Sequence, residues 1–219
     1  MADPASILLV RHARSLANAD PRVYQTMADH EIPLCLPEDD PAAIAAGDAI
    51  RTLSIDPKEL HCWASSYTRC RQTESIVLQH AFGDAREAIP CRESFLLREL
   101  EYGDWDGLSD EAIASRDPDR WAKKQRGNDP YSRFYFRNPN GESRADLVQR
   151  VATFAEQLRR LGPSHHVVFT HALTLRAFRM VWFSRSIEWF DAEPHPPNAT
   201  VVRIARGVDA GDWVESVMR

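Results

Sequence analysis

Four consecutive apolar residues, Ile7-Leu8-Leu9-Val10, leave a strand no polar face to turn toward solvent. Such a strand belongs inside a sheet covered on both sides, as in α/β domains. A second run of the same kind, His166-Val167-Val168-Phe169-Thr170, lies far along the chain. Each run ends at a histidine ahead of a turn and a helix. The first is Arg11-His12 before Ala13-Arg14-Ser15, with Ser15 a candidate helix cap; the second is His171 before the apolar stretch 173–183. Open α/β sheets bind ligands beyond the carboxyl ends of their strands, so both histidines are expected at one edge. Alone, Arg11-His12 could simply close a surface strand; its repetition at His171 favours a shared site.

The 219 residues suit one domain spanning 1–219, with an inserted lobe at about 104–142. A net charge of −5 argues against a general nucleic-acid or acidic-membrane binder. Cys35, Cys62, Cys70 and Cys91 contain no Cys-x-x-Cys pair and read as reduced thiols, not as a metal site. No basic-then-apolar leader precedes Ile7, and no apolar run has the length of a membrane span, so the expected location is cytoplasmic.

In chain order, 20–40 reads as a long loop with a helical turn near 24–27, and loops of that length are often functional. Helices are expected at 41–53, at 67–80 with Ile76, Val77 and Leu78 inward, at 143–161 and at 173–183. Leu147, Val151, Phe154, Leu158 and Leu161 recur at spacings of four and three, behind a capping box in which Asp146 replaces the usual Glu. Short strands are expected at 61–64, 95–97, 166–170, 200–205 and 213–218. Between 109 and 140 basic residues interleave with aromatics, a pattern that can mark single-stranded nucleic acid. The acidic whole favours a lobe that packs its aromatics as a small core, with Arg133 and Arg137 as candidate selectors of anionic substrates.

Ser65-Ser66-Tyr67-Thr68-Arg69 puts another arginine near a helix start. If these ends converge, Arg11, Arg69, His12 and His171 surround a cavity suited to a phosphoryl dianion. A guanidinium binds two phosphate oxygens at once, helix starts add partial positive charge, and a neutral imidazole is a competent nucleophile toward phosphorus. Positioning and charge stabilisation then suffice without metal.

Five ordered motifs resemble the histidine phosphatase superfamily, also called phosphoglycerate-mutase-like. They are Arg11-His12, the Ser65 to Thr73 run with Arg69 and Gln72, Glu99 four before Gly103, Gly141-Glu142-Ser143, and Thr170-His171. The run from Phe134 to Ser143 looks like a phosphatase-like branch. The resemblance implies a three-layer α/β/α sandwich with a mainly parallel central sheet, no metal and no other cofactor. It implies His12 as the phosphorylated nucleophile, with Arg11, Arg69 and His171 on the phosphoryl oxygens and Asn18 lining the pocket. Glu99 would be the proton donor and then the base for water. Glu101, Asp104 and Asp106 lie near enough in sequence to compete for that role, and His195 is a candidate for the substrate rim.

Two matched departures stand out: alanine, at Ala13 and Ala172, replaces the glycine that usually follows each histidine. Asp110 stands where the mutases carry a lysine, which favours hydrolysis over mutase activity. The expectation is therefore a metal-independent phosphatase acting on phosphorylated small molecules. The alternatives are a phosphoglycerate mutase, and a catalytically weak phospho-ligand binding protein motivated by Ala13 and Ala172.

Overall fold

The computed structural model describes residues 3–162, 164–207 and 212–218. In chain order its elements are β1 (Ser6–Arg11), α1 (Leu16–Ala19), α2 (Pro41–Arg51), β2 (Leu60–Ala64), α3 (Thr68–Phe82) and β3 (Cys91–Glu93). Then come α4 (Asp110–Arg116), α5 (Pro118–Gln125), α6 (Pro130–Tyr135), α7 (Arg144–Arg160), β4 (His165–Thr170), α8 (Ala172–Trp182), α9 (Ile187–Ala192), β5 (Val201–Arg206) and β6 (Trp213–Met218). The strands form one sheet in the order β3-β2-β4-β1-β5-β6. The first four run parallel, and β5 pairs antiparallel with both β1 and β6.

Successive strand residues point to opposite faces, and the two faces carry separate cores. Ile7, Leu9 and Val168 pack with Phe154 of α7 and Phe178 of α8. Leu8, Val10, Val167 and Phe169 pack with Ile50 of α2 and with Ile76 and Val77 of α3. The result is three layers, and the apolar run of β1 is explained by burial on both sides. The capping box at Ser143 and Asp146 is present, as is the inward stripe of α7.

The strand expected at 95–97 is a 3-10 turn, and the edge strand is β3 just before it. Every residue of β3 is exposed, so it lacks the apolar pattern that marks a strand. The apolar run follows instead because Leu97 is buried in the core while its carbonyl accepts from Thr170 Oγ1 at 2.8 Å. The turn expected at 24–27 is a 3-10 segment at Pro21–Gln25, capped by Asp20. The short helix α9 had no sequence signal.

The lobe has a closed stem. Asp104 N–H donates to the Pro139 carbonyl at 2.9 Å, and Glu142 N–H donates to the Glu101 carbonyl at 2.8 Å. Gly103 has φ +58, and a Cβ there would stand 2.1 Å from the Pro139 carbonyl oxygen. Beyond the stem, Trp105 stacks on Phe136 at 5.4 Å and meets Trp121 at 6.3 Å, while Phe134 joins the main core. Gly103→Ala combines left-handed strain with a backbone clash and should cost more than about 2 kcal/mol in urea denaturation. Gly162→Ala, with φ +84 and open space around its Cβ, should cost only roughly 1 kcal/mol. Equal costs would mean that the stem is not closely packed.

Candidate active site

The carboxyl ends of β1, β4 and β2 meet, as the paired strand-histidine pattern requires. His12 N–H donates to the Thr170 carbonyl at 2.8 Å, and Ser65 N–H donates to the Phe169 carbonyl at 2.9 Å. These bonds carry the ladder one residue past each strand and place the His12 and His171 ring centroids 5.3 Å apart. Neither imidazole reaches water freely: His12 is 5% exposed and His171 fully buried.

His12 Nδ1 lies 2.7 Å from the Ala13 carbonyl oxygen. A carbonyl can only accept, so Nδ1 carries the proton and Nε2 keeps its lone pair. Burial first, then the Arg69 and Arg11 charges, lower the His12 pKa to about 3, against the opposing bond to Ala13. The same burial and the Arg69 charge push His171 well below its ordinary value. Its Nε2 lies 2.9 Å from Ser65 Oγ and 3.4 Å from Cys70 Sγ. Both rings are therefore neutral near pH 7.

The two arginines are held differently. Arg69, 3% exposed, pairs through Nη1 with an Asp29 carboxylate oxygen at 2.9 Å and donates to the Asp29 carbonyl at 2.6 Å. Arg11 gives one N–H to the Pro196 carbonyl, and its buried Nε has no partner among the described residues. Burial lowers the Arg11 pKa, and nearby Glu99 raises it. Asn18 is exposed; its Oδ1 accepts from Ser15 N–H at 3.2 Å and from Asn198 Nδ2 at 3.1 Å. Asn198 also donates to the His12 carbonyl at 3.0 Å, which ties Asn18 to the loop after β1.

Glu99 reaches the start of α8, the helix that His171 opens. Its carboxylate accepts from the backbone N–H groups of Leu173 and Thr174 at 3.2 and 3.3 Å. Behind it Arg150 donates to the carbonyls of Leu96, Arg98 and Glu99 and closes a two-pronged pair with Glu142 at 2.9 and 3.0 Å. The Gly-Glu-Ser motif thus supports the turn that presents Glu99. Of the competing carboxyls, Glu101 and Asp104 are exposed, and Asp104 is bonded to Asn140 at 3.0 Å. Asp106 differs: burial, then Asp29 and Glu101, raise its pKa to about 6.

Asp106 also lines a cavity of about 590 Å³ with Tyr24, Tyr102, Trp105, Asp110 and Lys124. Asp106 is within electrostatic reach of Arg69 and Asp29, although neither histidine lines this cavity. The candidate selectors Arg133 and Arg137 are already committed to carboxylates, Arg133 to Asp191 and Arg137 to Asp146. The lobe cation that faces both its cavities is Lys124, over the rings of Trp105, Trp121 and Tyr102 at 5.0, 5.7 and 5.9 Å. His195 lies within electrostatic reach of Arg176 and Arg11, and burial first, then these charges, lowers its pKa to about 4.

Ala13 and Ala172 are both buried, and neither has positive φ. The backbone at these two positions therefore does not demand glycine. Sequence reading missed Asp29, which sits in an aperiodic loop, and Asn198, between Pro197 and Ala199. Arg150 carried a signal: it is a charged residue on the inward face of α7, next to Leu147, Val151 and Phe154.

Fold and site together define an α/β protein whose strand ends hold two neutral imidazoles beside two guanidinium groups. A family model of the histidine phosphatase superfamily (branch 1) matches residues 7–217, and the chain belongs to that superfamily. Phosphoglycerate mutase-like protein AT74 of Arabidopsis thaliana is 32% identical over 229 residues, covering 96% of this chain and 67% of that protein. Broad-range acid phosphatase DET1 of Saccharomyces cerevisiae is 38% identical over 80 residues, covering 33% of this chain and 24% of that protein. Mycobacterial glucosyl-3-phosphoglycerate phosphatase shares the fold with a TM-score of 0.73 at 18% identity, covering 98% of each chain. The Shigella flexneri α-ribazole phosphatase does so at 0.71 and 18%, covering 97% and 95% of the two chains. Among the described residues, no helix is long and apolar enough to cross a membrane.

The lowered imidazoles make stability pH-dependent. His12, His171 and His166 (lowered to about 4, mainly by burial) stay neutral in the folded chain. In the unfolded chain each binds a proton below roughly pH 6.5. The unfolded state then holds more protons, so stability falls as pH drops from about 6.5 toward 4. Each imidazole contributes up to about 1.4 kcal/mol per pH unit. Urea midpoints measured across that range should decline, and a flat profile would contradict the neutral assignment.

Proposed function

We propose that the chain is a cytoplasmic, metal-independent phosphatase that hydrolyses phosphate monoesters of small molecules through a phosphohistidine on His12. The observation that carries this reading is the His12 ring: buried, neutral, and tied at Nδ1 so that Nε2 offers a lone pair. Arg11, Arg69, His171 and Asn18 hold the phosphoryl oxygens. Nε2 attacks phosphorus, the P–O bond to the leaving group breaks, and Glu99 supplies the leaving oxygen with a proton. Water, deprotonated by the same carboxylate, then attacks the phosphohistidine and releases inorganic phosphate. The two guanidinium groups supply the positive charge that a metal ion provides in other phosphoryl-transfer sites. Asp110, on the cavity beside Lys124, favours hydrolysis over transfer to a second phosphoglycerate anion.

Quenching during turnover with a labelled ester should trap an acid-labile, alkali-stable phosphoramidate that His12→Ala loses. A variant that keeps its label and rate removes His12 from the role. Chelation should leave the wild-type rate intact.

The acid admits a second reading, because Asp106 has the raised pKa and faces the cavity. General acid catalysis contributes ~10²–10⁴-fold, and a nitrophenolate leaves with little help. Glu99→Gln should therefore slow phosphoenzyme formation from an alkyl phosphate far more than from p-nitrophenyl phosphate. Asp106→Asn should leave that ratio near wild type. If Asp106→Asn alone shows the split, and the wild-type alkyl phosphate rate falls above pH 6, Asp106 is the acid and Glu99 a support of α8.

A further inference from the structure

At the far edge of the sheet, three side chains that play no part in the phosphoryl chemistry come together. Cys62 on β2 is register-paired with Cys91 on β3. Residues in register on neighbouring parallel strands point to the same face. That face is the one α3 crosses, where Cys62 packs with Ile76 and Val77. Glu74, from the same helix, reaches the pair: its carboxylate oxygen and the two Sγ atoms all lie within 4.8 Å of one another. Cys62 is fully buried, Glu74 half-buried and Cys91 exposed, so the cluster opens to solvent on one side only.

The groups that face the Glu74 carboxylate are the Cys62 and Cys91 thiols, with the Arg86 guanidinium within electrostatic reach. Among the described residues Arg86 gives its hydrogen bonds to Ser75 and Gln79, and Glu74 is in no ion pair. Two thiols and a half-buried carboxyl arranged around one point are the donor set of a thiophilic divalent metal. Sulfur donors disfavour Mg²⁺ and Ca²⁺, which take oxygen ligands.

We propose that Cys62 Sγ, Cys91 Sγ and a Glu74 carboxylate oxygen bind one Zn²⁺, with water in the fourth position on the open side at Cys91. Bonds of about 2.3 Å to sulfur and about 2.0–2.2 Å to oxygen set the ligands roughly 3.5–3.8 Å apart, a separation that fits the observed grouping. Each thiol loses its proton to solvent as its S–Zn bond forms, so binding releases up to two protons. The ion would clip α3 to the two outermost strands. That helix carries Arg69 and Thr73, and β3 has only three residues to hold it in the sheet. The role is structural, and the proposal does not depend on the phosphatase reading.

The full-length chain, purified under a non-thiol reductant and stripped of metal, should take up one Zn²⁺ in competition with a chromophoric chelator. At a hundredfold excess over Kd, Tm should rise by roughly 5–10 °C. Co²⁺ in place of Zn²⁺ should show thiolate-to-metal charge transfer in the near ultraviolet. Cys91→Ser, at an exposed position that folding tolerates, should lose at least about tenfold in affinity and much of that band. Glu74→Gln should weaken binding while keeping the band. No Zn²⁺ uptake, or uptake unchanged in Cys91→Ser, overturns the site. Phosphatase activity should survive chelation in either case, so failure here is distinct from failure of the phosphohistidine mechanism.

Discussion

Two imidazoles remain uncharged beside two guanidinium groups because both rings are drawn out of water at one edge of a sheet. Burial alone lowers a histidine, and a nearby fixed positive charge lowers it further. Here both act on His12 and His171, with burial the larger. Arg69 tolerates its own burial because Asp29 pairs with it. A phosphoryl dianion arriving in this site would meet a guanidinium that already has a carboxylate partner. Its binding must therefore displace or share Asp29, and the long loop after α1 becomes part of the site's energetics.

Behind these groups stands a second buried pair, Arg150 with Glu142. Removing one partner of such a pair costs about 3–5 kcal/mol, because the other charge is left without compensation. Arg150 also gathers three carbonyls of the 96–99 turn, so the geometry of Glu99 is set from α7 rather than from its own neighbours. The lobe joins the same support, since Glu142 closes its stem against Glu101. Chemistry, stem and core thus share one polar junction.

The layered fold was legible wherever burial leaves a pattern: in the all-apolar β1, in the stripe of α7 and in the strand-histidine repeats. It was not legible at β3, whose residues are all exposed, nor at the 3-10 turn of Phe95–Leu97, where a buried Leu97 mimics a strand. Arg11, His12, Arg69 and His171 could be named because strand ends and helix starts mark them. Asp29 could not, because its role comes from a loop folding back over 40 residues of sequence. Arg133 and Arg137 read as free cations, since sequence alone does not reveal that Asp191 and Asp146 neutralise them.

The position of β1 also bears on how the chain is made. Its partners are β4 and β5, and the bond between Ser6 Oγ and His165 Nδ1, at 2.7 Å, spans 159 residues. At roughly 5–20 residues per second, β1 waits about 8–30 s after synthesis before its first neighbour exists. Throughout that time an apolar strand with unpaired edges is open to wrong partners. The strand that ends at His12 is made well before β4 and β5 and seated late, so a nascent chain of this design is most vulnerable to aggregation through β1.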